Sequence, residues 1–306
     1  MRFDLRSTIL LAASVTLPLL SQAADPTLES RIAPIAKDHK GKIAVAIKHL
    51  ATGESYYLNA DEPMPTASLI KTAVMVETYW QAEEGKVRLD AMLTLKDADK
   101  VPGAGVLTDS FSPGATLALK DAVRLMITVS DNTATNLVLD QIGIPSTNAR
   151  MENLGFKNTK IHAKVYKGKD TSIDPERSKA FGLGSTTAKE MLGLLELLYQ
   201  GKVVTPKACT EMIGILAKNQ DNELLVRQLP PGVSMAHKTG AVSNARTDAG
   251  IVYFRDPSDK KVKAQYLICV LTNDNEDQRW VIDNAAQLTL SRIGKAAYDH
   301  FAIVKP

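Results

Sequence analysis

Three short clusters in the chain carry residue types suited to acyl transfer. Ser68-Leu-Ile-Lys71 sets a hydroxyl and an amine three residues apart, and on a helix such residues share a face. A serine is a weak nucleophile until a base takes its proton, and a buried lysine with a lowered pKa can be that base. Spacing alone does not decide, because Ser258 and Lys261 repeat it in what reads as a charged hairpin turn. Context separates the two: Ser68 follows Pro63-Met-Pro-Thr66 and opens an apolar helical run, whose N-terminal amides suit an oxyanion. The second cluster is Ser130-Asp131-Asn132, between two helical runs. Asp131 reads there as a cap for free amides at a helix start. The third is His237-Lys238-Thr239-Gly240, inside a strand pattern. An interior lysine followed by a glycine is poor strand composition unless the position needs a cation and a close backbone approach.

The elements that would position these clusters follow from periodicity. A helix over about Leu28 to Asp38 precedes the β-branched, apolar run Ile43 to Leu50. Thr52-Gly53 turns the chain into Ser55-Tyr-Tyr-Leu58, which completes a hairpin. From Ser68 to about Lys202 the apolar spacing is helical, as in Leu69, Ala73, Val76 and Trp80, and again in Leu119, Val123, Met126, Leu137 and Ile142. An amphipathic helix over Met191 to Tyr199 follows Ser185-Thr-Thr, and another lies near Lys207 to Lys218. Strands resume at Ser234–Val242, Thr247–Phe254 and Val262–Thr272, with a polar turn at Asp256 to Lys260 between the last two. A closing helix spans about Trp280 to Phe301. Two strands before a helical block and three after it predict one antiparallel sheet built by both chain ends and covered by the terminal helices. The fold class is therefore α/β (α+β), a five-stranded antiparallel sheet flanked by helices plus an all-helical lobe. The sheet lobe takes about 24–65 and 206–306, the helical lobe about 66–205, and the cleft between them is the place for chemistry.

Composition narrows the function. At 306 residues, with 44% hydrophobic and 23% charged residues, the chain can bury a large core. A net charge of +3 with no clustered basic face excludes a nucleic-acid partner. Residues 1–23 read as a signal peptide: Arg2 and Arg6 precede an apolar run to Leu20, and Ser21-Gln22-Ala23 supplies small residues for cleavage. The run is too short to span a bilayer, and Pro18 interrupts it. Cleavage near Ala23 removes two basic residues and one acidic one, taking the charge from +3 to +2. The expectation is an exported, periplasmic or secreted monomer with no stable membrane span. Export permits a bridge between Cys209 and Cys269, although free buried cysteines behave as small hydrophobes, and that is the default reading. The five histidines are scattered with no second ligand at metal spacing, so neither metal nor cofactor is expected.

Taken together, SxxK, SDN and KTG in this order resemble the motif set of class A β-lactamases and related penicillin-binding proteins. The resemblance covers essentially the whole chain after Ala23, from the early hairpin to the final helix. It implies a serine acyl-enzyme hydrolase that opens the ring of small-molecule β-lactams. In that reading Ser68 attacks the carbonyl, Lys71 is general base or proton relay, and Ser130 passes a proton to the departing nitrogen. Asn132 binds the substrate amide, and Lys238 and Thr239 hold its carboxylate. The backbone amides of Ser68 and Ala241 form the oxyanion hole. Asn136 anchors the loop that carries the deacylation base. Arg246 either adds positive charge near the carboxylate or is a surface arginine.

One departure from the family pattern bears on turnover. The Glu-x-x-Leu-Asn motif that supplies the deacylation glutamate is missing between Gly155 and Ser185. Anchoring on Asn158-Thr-Lys-Ile161 puts Val165 at its place; anchoring on Ser185-Thr-Thr187 leaves Glu176 as the candidate base, or as an ordinary surface charge. Lys160, Lys164, Lys167 and Lys169 of this loop read as a solvated face. Three activities use the same acylation parts: a β-lactamase, a D-alanyl-D-alanine carboxypeptidase or endopeptidase acting on peptidoglycan stem peptides, and a slow-turnover penicillin-binding protein.

Overall fold

The computed structural model describes residues 27–255 and 261–302. Residues 1–23, read above as a signal peptide, and Asp256 to Lys260, with Ser258, lie outside the described residues. Five strands form the main sheet: β1 (Lys42–His49), β2 (Ser55–Leu58), β3 (Ser234–Val242), β4 (Ala245–Arg255) and β5 (Val262–Asn273). Their order is β2-β1-β5-β4-β3, with every neighbouring pair antiparallel. β1 pairs along its whole length with the last strand, Lys42 opposite Asn273 and His49 opposite Tyr266. Both chain ends therefore build one sheet, as the strand order in the sequence implied.

Among the described residues eight helices reach ten residues or more: α1 (Leu28–Asp38), α2 (Lys71–Glu83), α3 (Leu119–Thr128), α4 (Asn132–Ile142), α5 (Ile144–Asn153), α6 (Ala188–Tyr199), α7 (Pro206–Leu216) and α8 (Ala285–Phe301). They cover both faces of the sheet. Ile43, Val45 and Ile47 of β1, with Tyr266, Ile268 and Val270 of β5, pack under α1 and α8. Ala44 and Ala46, with Leu267, Cys269 and Leu271, face the other core, which continues through α2, α3, α4, α6 and α7. Burial on both faces explains why these strands read as unbroken apolar runs rather than as alternating ones. Cys209 and Cys269 are both buried and unbridged.

Two expectations need correction. The middle of the chain is not purely helical. Met64–Pro65, Gly184–Thr186 and Lys160–Ile161 form a three-stranded patch, and Met92–Thr94 pairs with Thr116–Ala118. The closing helix starts at Ala285, not Trp280. Asn284 caps it, its Oδ1 accepting from the amides of Ala286 (3.0 Å) and Gln287 (3.3 Å), and the Asp277 carboxylate accepts from the Ala285 amide. Trp280 to Ile282 are left on an exposed loop. None of the described helices is long and apolar enough to cross a membrane.

Candidate active site

Ser68 sits in a tight 3₁₀ turn, Ala67–Ile70, that runs directly into α2 at Lys71. This turn is clamped from three sides. The Thr66 amide donates to the Gly184 carbonyl (2.9 Å). Thr247 Oγ1 on β4 donates to the Thr66 carbonyl (2.8 Å). Gly240 of β3 lies so near that a Cβ there would press on the Thr66 carbonyl and come within 2.5 Å of Thr247 Oγ1 and 2.8 Å of the Leu69 amide. This is the close backbone approach that the glycine after Lys238-Thr239 implied. Ala67 is held at φ 45°, Ser130 at φ 57° and Tyr166 at φ 56°. Three of the five non-glycine residues with positive φ among the described residues thus line the same cleft, as strain stored at a working site does.

Lys71 is fully buried behind Ser68. Its Nζ donates to the Ser130 carbonyl (2.6 Å), to Ser130 Oγ (3.2 Å) and to Asn132 Oδ1 (2.9 Å). Burial, reinforced by the Lys238 cation, pushes its pKa well below the usual lysine range, while Asp131 pulls the other way. Asp131 caps α4, its Oδ1 accepting from the Ala134 amide (2.7 Å). Its Oδ2 accepts from the amides of Val106 (2.7 Å) and Leu107 (2.9 Å). One carboxylate therefore fixes both the Ser130 turn and the loop packed against it. Asn132 Nδ2 donates to the Pro102 carbonyl (3.0 Å), tying the same loop down. Lys238 is also fully buried, its Nζ on the Thr239 carbonyl (2.7 Å). Desolvation lowers its pKa to about 8, against the attraction of Asp221 and Asp248. Behind it His237 Nδ1 and Asp248 Oδ1 form a buried pair at 2.9 Å.

Ser68, Ser130, Asn132, Thr239 and Ala241 line one cavity of about 640 Å³, with Tyr166, Asp221 and Trp280 in its walls. A second cavity of about 310 Å³ shares Ser68, Asn132, Tyr166 and Ala241 and is otherwise lined mostly by apolar groups, Val165 and Leu183 among them. Arg246 is neither a surface residue nor a lining one. It is buried, donates to the carbonyls of Val242, Ala245 and Arg279, and stacks on Trp280 at 4.6 Å. It holds the turn between β3 and β4 and one wall of the cleft.

Glu176 is not brought to the cleft. It is exposed in the first turn of the short helix Pro175–Phe181, where a carboxylate is favoured by the helix dipole. The adjacent Arg177 turns inward to Ser185 Oγ (2.9 Å) and over the Phe181 ring. Val165 instead lines the smaller cavity together with Ser68. Asn136 grips its backbone twice, Nδ2 donating to the Val165 carbonyl (3.0 Å) and Oδ1 accepting from its amide (2.8 Å). Of the loop lysines, Lys160 pairs with Glu152 and Lys164 with Asp140, while Lys167 donates to the Ala98 carbonyl.

The sequence profile of the Beta-lactamase enzyme family matches residues 27–301. The chain belongs to this family. Beta-lactamase CARB-3 of Pseudomonas aeruginosa is 26% identical over 254 residues, covering 80% of this chain and 84% of the relative. A beta-lactamase from Sphaerobacter thermophilus DSM 20745 superimposes with a TM-score of 0.77 at 26% identity, covering 91% of this chain and 99% of that one. PBP-A superimposes with a TM-score of 0.75 at 25% identity, over 90% and 96%. Within the beta-lactamase family fold, Tyr166, Trp280, Asp221 and the Thr66–Thr247 clamp are site features that no local pattern in the sequence announced.

Proposed function

We propose that this chain is a serine hydrolase that opens the β-lactam ring through an ester on Ser68. Ser68 Oγ attacks the ring carbonyl and its proton passes to Lys71, whose pKa is lowered by burial so that it gives up its own proton more readily than a free lysine. The oxyanion forms between the backbone amides of Ser68 and Ala241. As the C–N bond breaks, Ser130 gives its proton to the departing nitrogen and regains one from Lys71. Lys238 and Thr239 hold the substrate carboxylate, Asn132 its side-chain amide, and Asn136 the loop beside the ester. The observation that carries this reading is the Lys71 ammonium on Ser130 and Asn132, a relay already assembled between the nucleophile's helix and the opposite wall. One catalytic domain of two lobes, with the signal peptide removed near Ala23, would act as an exported monomer.

Val165 favours a second reading of the later step. With an apolar side chain beside the ester, release depends on a water activated by Lys71, as in a peptidase acting on D-alanyl-D-alanine stem peptides, or on transfer to an incoming amine. Purified protein incubated with a penicillin should gain one acyl mass, and Ser68→Ala should gain none. Labelling that survives the substitution refutes the nucleophile. Steady turnover of nitrocefin supports the hydrolase, whereas a single burst with turnover only of a stem peptide supports the peptidase.

A further inference from the structure

The wall of the larger cavity away from Val165 carries a carboxylate that the acylation chemistry does not use. Asp221 follows α7 on a loop that its own side chains hold: the Asp221 amide donates to Asn219 Oδ1 (3.3 Å), and Asp221 Oδ1 accepts from the Glu223 amide (3.2 Å). Among the described residues its second oxygen has no hydrogen-bond partner and Asp221 makes no ion pair, although two buried cations lie behind the same wall. Both are committed elsewhere, Lys238 to the Thr239 carbonyl and Arg246 to three backbone carbonyls. Asp221 still feels them, since it raises the pKa of each. Beside it Asn219 Nδ2 is buried without an acceptor. Trp280 closes this end of the cavity with 67% of its surface exposed, Arg246 being stacked on its ring.

These groups have a chemical preference. The substrate carboxylate belongs on Lys238 and Thr239, so a second anion beyond it would meet Asp221 at close range. A cation there meets an unpaired carboxylate and an accessible indole, and an aromatic cation can use both. We infer that this wall selects zwitterionic acyl donors, in which a cationic group stands on the leaving-group side next to the carboxylate, and that Asp221 is the residue that recognises the cation. The inference rests on the acyl-transfer reading above and adds a substrate class to it.

The test is a matched pair of cephalosporins sharing one thienylacetyl group, one with a pyridiniummethyl and one with an acetoxymethyl substituent at C3. The readout is the ratio of their second-order acylation rates on Ser68, followed by mass spectrometry. Asp221→Asn should lower the cation-to-neutral ratio about fivefold, the scale of one solvent-facing charge pair. Asp221→Glu should keep it within twofold. In the wild type the ratio should fall by a similar factor as salt is raised to about 1 M, where the Debye length is about 3 Å. A ratio unmoved by salt in the wild type overturns the inference whether or not Asp221→Asn folds. A ratio unchanged in folded Asp221→Asn overturns it as well. Failure of both compounds to acylate the wild type overturns the proposed function first and this inference with it, whereas acylation by both with an insensitive ratio overturns the inference alone.

Discussion

Gly240→Ala tests whether the sheet edge and the Ser68 turn form one rigid unit. Gly240 does not have a positive φ, so alanine suffers no backbone penalty there and the added methyl acts through space alone. The methyl would lie 2.5 Å from Thr247 Oγ1 and 2.8 Å from the Leu69 amide, where carbon against oxygen ordinarily rests at about 3.3–3.6 Å. Thr247 cannot swing aside cheaply, because the same hydroxyl donates to the Thr66 carbonyl at 2.8 Å. Strand β3 must therefore withdraw from the turn by roughly 1 Å, and overpacking of this kind typically costs about 1–3 kcal/mol. The fold should survive with Tm lowered by about 3–10 °C. Function should suffer more: a shift of about 1 Å between nucleophile and oxyanion hole costs on the order of 10²-fold. Rapid-quench mass spectrometry with a penicillin measures the acylation rate, and calorimetry measures Tm. Acylation within threefold of wild type, in a variant that remains folded, would refute the claim that Gly240 sets the distance across the cleft.

Three further outcomes follow from the same geometry. Val165→Glu puts a carboxylate on the backbone that Asn136 holds beside Ser68, so the acyl-enzyme lifetime should shorten by about 10²-fold or more, while Glu176→Gln should leave it unchanged; mass spectrometry of the decaying ester decides both. Acylation should rise with pH as buried Lys71 becomes neutral and fall again as Lys238, lowered to about 8, loses the charge that holds the carboxylate. Lys238→Arg should move that alkaline limb up by more than one pH unit, and a pH–rate profile with an unmoved limb would count against Lys238 as its source. Asp131→Ala leaves three amides without their acceptor and should cost about 3–5 kcal/mol, read by calorimetry as a Tm drop on the order of 10 °C; a drop below about 3 °C would sink the structural role.

What could be read from the chain depended on whether the signal was local. Ser68 with Lys71, the cap at Asp131 and the glycine after Lys238-Thr239 each announce themselves within four residues. The sheet order followed from counting strands on either side of a helical block. Trp280, Val281 and Ile282 misled because an apolar run ahead of a helix continues its periodicity, and only the Asn284 and Asp277 caps show that the helix has not begun. The two- and three-residue strands are too short for any period to show. Thr247 reaches Thr66 across 181 residues, and Asp221 matters because of what the fold sets beside it, so neither has a neighbour in sequence that marks it.

The positions of Val165 and Glu176 are likewise set by the fold, the first held by Asn136 and the second exposed on its own short helix. Asn136 makes both of its bonds to the amide and carbonyl of residue 165, groups that every residue except proline presents. The clamp therefore places the loop whatever side chain stands there. A glutamate and a valine would leave its two hydrogen bonds the same, and would differ only in whether a water beside the Ser68 ester meets a base. In the proposed mechanism acylation and release are thus separable. The first is written into buried lysines and strained turns that packing enforces, whereas the second hangs on one side chain that packing does not require to be acidic.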